Sequence, residues 1–583
     1  MPSAPRRGML LLIVAGAVAL HLPSVFQGFW ADDETHQIAL RGDAPFPKPP
    51  WWNLYDFGET ADWTTADGEV EGVPWWTSPD WKIRFFRPLT SATLALDHTL
   101  FGDWAIGYHL TSYAWYAALL LLVHSLYRSL GLDAGAALLA LALYAATNGA
   151  TLPVGWPANR NSVLALLGVV AAVRVAIGRG TIFRPAAAML AAGLACLACL
   201  GKESGVLAFA LLALGFGLTA RRARESDVSR RAARAATMCM GLGLTFVAAL
   251  ACGGFGTHSR FYATPWSDPQ EYASNLLVLF SAGLLRLLAP VSVDLGMIFP
   301  AIVVPACLIG LGLVALVAWR ITPVVARRPE AIVLLAWLGL SLAAEGGSPP
   351  SDRLLLSAAI GSSGLLAIFI TTVRRDSRAS RRDRSVALGL VASAGLLGAT
   401  FTLVQSLTMA QTAADTRATA RSADVGPEAL GARDVLLLQA ENAFVPFTVG
   451  TAWALEPGDP ELRIRVLQMG RRGFDWVRED DLTFVLRSRD EPFLTHPMEG
   501  VFMAPGHAPP LGTRWRTPAF TAEAAEVDAE GLRAVRFRMQ RSLDDPRIRF
   551  LVERQGVLVS IAPPKLGETI VVPRAVPQSP LVL

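Results

Sequence analysis

The residues of this chain best suited to chemistry are three consecutive acids, Asp32, Asp33 and Glu34, in the stretch FWADDETHQI. They follow directly on an apolar run, residues 8–26, long enough to cross a bilayer and preceded by Arg6 and Arg7. Positive charge is retained on the cytoplasmic side, so the N-terminus is expected there and the acids just beyond the opposite face. At that depth carboxylates stand beside lipid head groups, many of them anionic, which do nothing to stabilise negative charge. Such a cluster points to proton abstraction, to binding of a divalent cation, or to a polar substrate at the membrane surface.

Cations are expected on the same face. Arg87 lies in FRPLTS, Arg160 in WPANRNS, Lys202 with Glu203 in LGKESG, and Arg353 in PPSDRLLLS. Charges at membrane depth are expensive and tend to mark functional pathways. Arginine offers bidentate contacts and lysine a point charge, which together suit a phosphate or diphosphate. Taken singly, Arg160 and Arg353 read as helix-end anchors that snorkel to the interface; four cations on one face favour an anion site. A carboxylate opposite them would deprotonate an acceptor hydroxyl while the cations stabilise a departing phosphate, and one displacement would invert a sugar's anomeric carbon. Asp97, His98 and His109 join this surface as further polar groups, each by itself an ordinary hydrogen-bonded residue.

The elements that must position these groups are membrane helices. Of 583 residues 52% are hydrophobic and only 17% charged, against about 25% charged in a soluble domain. Beyond residues 8–26, spans are expected near 107–127, 134–152, 161–177, 185–201, 204–220, 236–253, 300–319, 331–346, 353–373 and 386–408, about 11–12 segments in all, the higher number if 275–290 is included. The arginines that give the net charge of +4 collect in short connections, RRARESDVSRRAARAA (221–236) and RRDSRASRRDRS (374–385), which read as cytoplasmic loops and not as a nucleic-acid surface. Spanning by 275–290 would put the basic loop 320–330 outside, so that stretch is expected to be interfacial, re-entrant or part of a broken helix. Residues 8–26 lack a clear small-residue cleavage site and read as an uncleaved first helix. The five cysteines all fall in or beside apolar segments, where packing is their expected role.

Two regions lie outside the spans. The loop 27–106 is long enough to carry structure or function of its own. Its tryptophans Trp51, Trp52, Trp63, Trp75, Trp76 and Trp81 suit a membrane-interface belt or stacking on a sugar ring. Its end, from Arg87-Pro88, reads as a short surface helix. Beyond about residue 410 the apolar runs shorten to strand length (DVLLLQA, LRIRVLQM, LTFVLRS, AVRFRMQ, RIRFLVE, VLVSIAP). Residues 411–583 are therefore expected to form a β-rich extracytoplasmic domain, a sandwich with some helix around 519–533, after a membrane module over 1–410.

FWADDETHQI, FRPLTSATLALDHTLFGDWAIGYHLTSY, PVGWPANRNSVLALL, LGKESG and SDRLLLSAAIG stand in the order seen in GT-C-fold glycosyltransferases. Over about residues 8–410 the chain resembles protein O-mannosyltransferase-like enzymes, including membrane mannosyltransferases that carry tetratricopeptide repeats. The resemblance implies that Asp33 is the catalytic base, with Asp32 the alternative, and that Glu34 assists or binds the acceptor. It places Arg87, His109, Arg160, Lys202, Glu203 and Arg353 near the lipid-phosphate donor. It implies a polyprenyl-phosphate sugar as donor and, in many members, no metal. The chain departs from these relatives in lacking the repeats and in carrying Asn161 where an acid often follows the arginine.

The function expected is transfer of mannose or a similar hexose from a polyprenyl-phosphate donor to a protein or glycan acceptor on the outer face of a membrane, the bacterial inner membrane by the resemblance, with the β-rich domain periplasmic. Rival readings are a transporter or flippase, a non-catalytic envelope scaffold, and a ligase or polymerase of lipid-linked glycans. The first is disfavoured by charges gathered at one face and by the lack of an inverted repeat. The scaffold predicts that Asp32 and Asp33 tolerate Asn.

Overall fold

A computed structural model describes residues 4–42, 49–177, 184–223, 226–326, 328–422, 434–455, 463–506 and 508–576. The chain forms two compact units. One comprises residues 1–27, 85–255 and 264–410, the other 28–84, 256–263 and 411–583.

The first unit is helical, and with it the chain is a multi-pass integral membrane protein. Among the described residues nine helices are long and apolar enough to cross a membrane. The pair Ala134–Ala145 and Asn148–Gly155, bent by 56°, makes a tenth, and Pro185–Gly201 and Glu330–Ala344 are shorter apolar helices. Their packing relies on close approach of small residues, as expected where lipid removes any hydrophobic drive between helices. A Cβ at Gly361 would overlap the backbone of Leu334, and one at Gly205 the backbone of Ala198. Two buried tyrosine hydroxyls are tied to carbonyls: Tyr127 donates to Ile360 O at 2.7 Å and Tyr113 to His21 O at 2.8 Å.

Two arginine-rich stretches expected as loops belong largely to helices. Residues from Ser226 begin the helix Ser226–Cys252, and Arg381 begins Arg381–Leu390; Arg224 and Glu225 lie outside the described residues. A helix start tolerates this charge because its outward face needs no partner. Residues 275–290 contribute to a helical stretch, Pro269–Leu288, of spanning length, with a π-type turn at Leu279–Gly283. Both of its ends bond to one connection. Tyr272 and Asn275 donate to Ala343 O and Gly346 O at 2.9 and 3.2 Å, and Arg286 pairs with Asp352 at 3.6 Å.

The second unit holds three sheets. β1 (Asp56–Glu59), β2 (Lys82–Arg84) and β3 (Gly256–His258) form a small antiparallel sheet. Ten further strands follow: β4 (Asp434–Gln439), β5 (Arg463–Val466), β6 (Phe474–Arg478), β7 (Thr483–Ser488), β8 (Arg514–Arg516), β9 (Phe520–Val527), β10 (Leu532–Met539), β11 (Ile548–Arg554), β12 (Val557–Ile561) and β13 (Thr569–Val572). They make an antiparallel sheet in the order β13-β6-β7-β10-β9-β8 and a mixed one, β12-β11-β4-β5, in which β4 runs parallel to both neighbours. Inward residues of both sheets, among them Phe474, Trp476, Phe537, Leu436 and Phe550, share one core. β4 is apolar from Val435 to Leu438 because its other face is buried too: Val435 and Leu437 pack with Val445 and Val449 of the helix Val445–Leu455.

The helix expected around 519–533 is instead the hairpin β9–β10. Its Ala-Glu composition mimics a helix, but the alternation decides: Ala522 and Ala524 face inward while Thr521 and Glu523 face outward. Arg536 and Arg514 lie opposite Glu523 on the two neighbouring strands. The tryptophans also divide differently from expectation. Trp51 and Trp52 are exposed, but Trp75, Trp76 and Trp81 are core residues of this unit whose indoles donate to Leu467 O, Glu499 O and Val501 O.

Candidate active site

Each unit carries one part of the residue set that the sequence singles out. In the second unit the chain turns sharply before the acids. Gly28 has φ +67° and Ala31 has φ 50° with ψ −121°, a conformation costly for a residue with a Cβ. The helix Asp32–Arg41 then begins with all three acids in its first turn, where the helix dipole favours negative charge. Asp33 Oδ2 accepts the Trp30 N–H at 3.2 Å, and the Trp30 ring packs on Phe444. Asp33 and Glu34 are 3% and 2% exposed; Asp32 is half-buried.

Glu34 Oε2 accepts a 2.6 Å hydrogen bond from Thr451 Oγ1. Burial pushes its carboxyl up to about 7, against the opposing pull of Thr451, Arg417 and Arg421. Thr451, Arg417 and Arg421 are the residues that reading the sequence missed. The two arginines stand four apart in QTAADTRATAR, the polar tail of the helix Gly398–Arg421, so their shared face is legible, but no motif links them to the acids.

In the first unit Arg87 precedes the helix Pro88–Phe101, with proline at its first position as expected. Arg87 grips Glu203 side-on, with Nη2 at 2.9 Å from Oε2. The neighbouring Lys202 reaches Glu345 at 3.1 Å and Ser162 at 3.4 Å. Burial lowers the Lys202 ammonium's pKa, Glu345 acts against that, and the positive charges of Arg87 and Arg353 add to it. Arg353 and Glu345 line a cleft together with Ser162, Ser204, Ser341 and Ser357, and part of its wall is apolar, with Leu166 and Val169 among it. Arg87, Lys202, Glu203 and Arg353 thus form one charged cluster, to which Glu345 contributes beside Lys202 and Asp294 beside Arg353.

Arg160 and His109 do not line that cleft. Arg160 is fully buried, with Nη1 on Asp97 Oδ2 and Nη2 on Tyr108 O at 2.7 Å. Asp97 also accepts from Thr111 at 2.8 Å, and burial raises its carboxyl despite Arg160. His109 is buried in the helix Ala105–Ser129. Among the described residues no three His, Cys, Asp or Glu side chains converge as metal ligands would.

No protein-family model and no curated protein sequence matches the chain. Among solved structures it is similar to the Archaeoglobus fulgidus oligosaccharyltransferase, crystallised with a tethered acceptor peptide, at 13% identity and TM-score 0.42 over 79% of this chain. The chain spans 63% of that protein's length. It is similar also to ArnT from Cupriavidus metallidurans bound to undecaprenyl phosphate, at 13% identity and TM-score 0.41, covering 79% of this chain and 90% of that one. Both are membrane glycosyltransferases of the GT-C fold.

Proposed function

We propose that this chain is a membrane glycosyltransferase that moves mannose or a similar hexose from a polyprenyl-phosphate donor to an acceptor hydroxyl of a protein or glycan at the outer, periplasmic surface of the membrane. The observation that carries this reading is the cluster of Arg87, Lys202 and Arg353 beside a cleft with an apolar wall. The three cations offer phosphate contacts close together, and the apolar part of the wall suits the first units of a lipid tail.

In this reading Asp33 takes the proton of the acceptor hydroxyl as its oxygen bonds to the anomeric carbon. The bond from that carbon to the phosphate oxygen breaks, and polyprenyl phosphate leaves with the electron pair, stabilised by the cations. Configuration inverts, and Asp33 later releases the proton to water. Asp32 is the alternative base, and Glu34 orients the acceptor. Arg160 and His109 act here through packing. The Arg160–Asp97 pair braces the helix that starts at Arg87 and is a positioning device for the donor cations.

The test is transfer of labelled mannose from polyprenyl-phosphate mannose to an acceptor extract by purified protein. Asp33→Asn is expected to lower transfer by about 10²–10⁴-fold, the usual weight of a general base, and Lys202→Ala to raise the donor concentration needed. Undiminished transfer in Asp33→Asn, with an unchanged melting temperature, would remove Asp33 as the base.

A further inference from the structure

Several arginines of the second unit meet carboxylates side-on. Arg84 Nε and Nη2 hold Asp56 at 2.8 and 2.9 Å, Arg536 holds Glu479 at 2.8 and 3.0 Å, and Arg547 holds Asp545 at 3.1 and 2.9 Å. This edge of the guanidinium matches two oxygens of one carboxylate or phosphate. Arg417 departs from the pattern. Its Nε and Nη2 are buried and find no acceptor among the described residues, although Asp33 and Glu34 both act on it electrostatically. Buried guanidinium donors are costly to leave unsatisfied.

Three further features belong to this acidic site. Gly28 makes room for the fork: a Cβ there would overlap the Arg417 guanidinium, and Gly28 has φ +67° besides. Thr451 holds Glu34 by its hydrogen bond, so that carboxylate is committed elsewhere. On the same face of the helix Val445–Leu455, three residues before Thr451, Thr448 is fully buried and its hydroxyl has no partner.

We infer that Arg417 is an oxyanion-binding residue of the acidic site, whose Nε–Nη2 edge takes two oxygens of a substrate carboxylate or phosphate. The placement of that oxyanion beside a base rests on the reading of Asp33 above; the binding itself does not. Charge balance permits it. Glu34 is preceded on its own helix start by Asp32 and Asp33, and it is faced by Arg417 and Arg421 from the helix Gly398–Arg421 and by Thr451. With Glu34 carrying a proton near neutral pH, the two arginines are answered by two carboxylates. Oxyanion binding therefore favours protonated Glu34, and affinity falls as pH rises through about 7.

Calorimetric titration of the full chain in lipid nanodiscs, with inorganic phosphate and separately with acetate at pH 6 and pH 8, tests this. An oxyanion site is expected that weakens at least tenfold in Arg417→Gln, weakens likewise in Gly28→Ala, and loses its pH dependence in Glu34→Gln. Arg417→Lys, which keeps the charge and removes the fork, should recover only part of the binding. Phosphate heat lost in Arg353→Gln belongs to the lipid-phosphate cleft and is additive. Preference between the two probes tells a phosphate-bearing from a carboxylate-bearing substrate. Binding unchanged in Arg417→Gln, or lost only in Arg353→Gln, would overturn the assignment. That result leaves transfer by Asp33 standing, just as inactive Arg417→Gln with intact phosphate binding would overturn the assignment alone.

Discussion

Three adjacent acids share one helix start, yet their surroundings separate them. Asp33 caps the turn through the Trp30 N–H, while Glu34 is buried against Thr451 and held up at about 7. A carboxyl near 7 has a base strength suited to neutral pH, but one Glu34 oxygen is held by Thr451, and the proposed reading gives the base role to Asp33 or Asp32. Glu34→Gln, which keeps the Thr451 bond, is expected to retain most transfer at pH 7 where Asp33→Asn does not, as initial rates with labelled donor would show. A second buried acid gives a stability readout. Glu553 is 3% exposed, accepts the Glu441 and Asn442 N–H groups at 2.7 and 3.4 Å, and is still pushed up to about 7 by burial. Its folded value lies above its unfolded one, so the folded state binds the proton more tightly. Stability is highest below about pH 4.5 with respect to this group and is lost as pH rises through about 7, by up to about 3 kcal/mol at 1.36 kcal/mol per unit. Thermal melts followed by circular dichroism should show Glu553→Gln flattening the fall between pH 5 and pH 8.

Elements are positioned by contacts that a sequence shows unevenly. The membrane helices were legible because their apolar runs are long, and the strand DVLLLQ because its run is short. Arg87-Pro88 announced its helix start. The hairpin β9–β10 was hidden by Ala and Glu, whose alternation rather than their propensity sets the strand. The burial of Trp75 and Trp76 could not be read, because the strands that cover them lie almost four hundred residues further on. The acids and the cations near Lys202 were legible as charges where charge is expensive; Arg417 and Thr451 were not, because only folding brings them to Glu34. Close approach at a glycine was likewise silent. Gly205 lies one turn after Lys202 and Glu203, and its Cα faces the backbone of Ala198 with no space for a methyl group. Gly205→Ala is expected to push this turn off the helix Pro185–Gly201, costing about 2 kcal/mol as an overpacked contact does. Because the turn carries Lys202 and Glu203, donor affinity should fall with stability, measured as a lower melting temperature and weaker polyprenyl-phosphate binding. Ala at Gly193, where nothing lies within 4 Å, is the matched control and should change neither.

At the scale of the whole molecule, the β-rich unit does not own its core in one piece of chain. Residues 28–84 leave the helical unit after the first span and join 256–263 and 411–583. Trp75 and Trp76 lie in the same hydrophobic core as Trp476, Phe484 and Phe537. Backbone bonds stitch the pieces as well: Val70 N donates to Arg516 O at 2.8 Å and Ser78 N to Phe502 O at 3.0 Å. Each buried tryptophan contributes about 3–5 kcal/mol by the usual cost of truncating it, a large share of the 5–15 kcal/mol that stabilises a typical domain. Residues 411–583 made alone should therefore fail to give a cooperative melt and should expose apolar surface to a hydrophobic dye. Joining residues 49–84 to them through a flexible linker should restore cooperativity, and restore it far less when Trp75 and Trp76 are both alanine. A cooperative melt of 411–583 by itself would show that the tryptophans cover a core already complete. The loop after the first span would then owe its length to the acids alone.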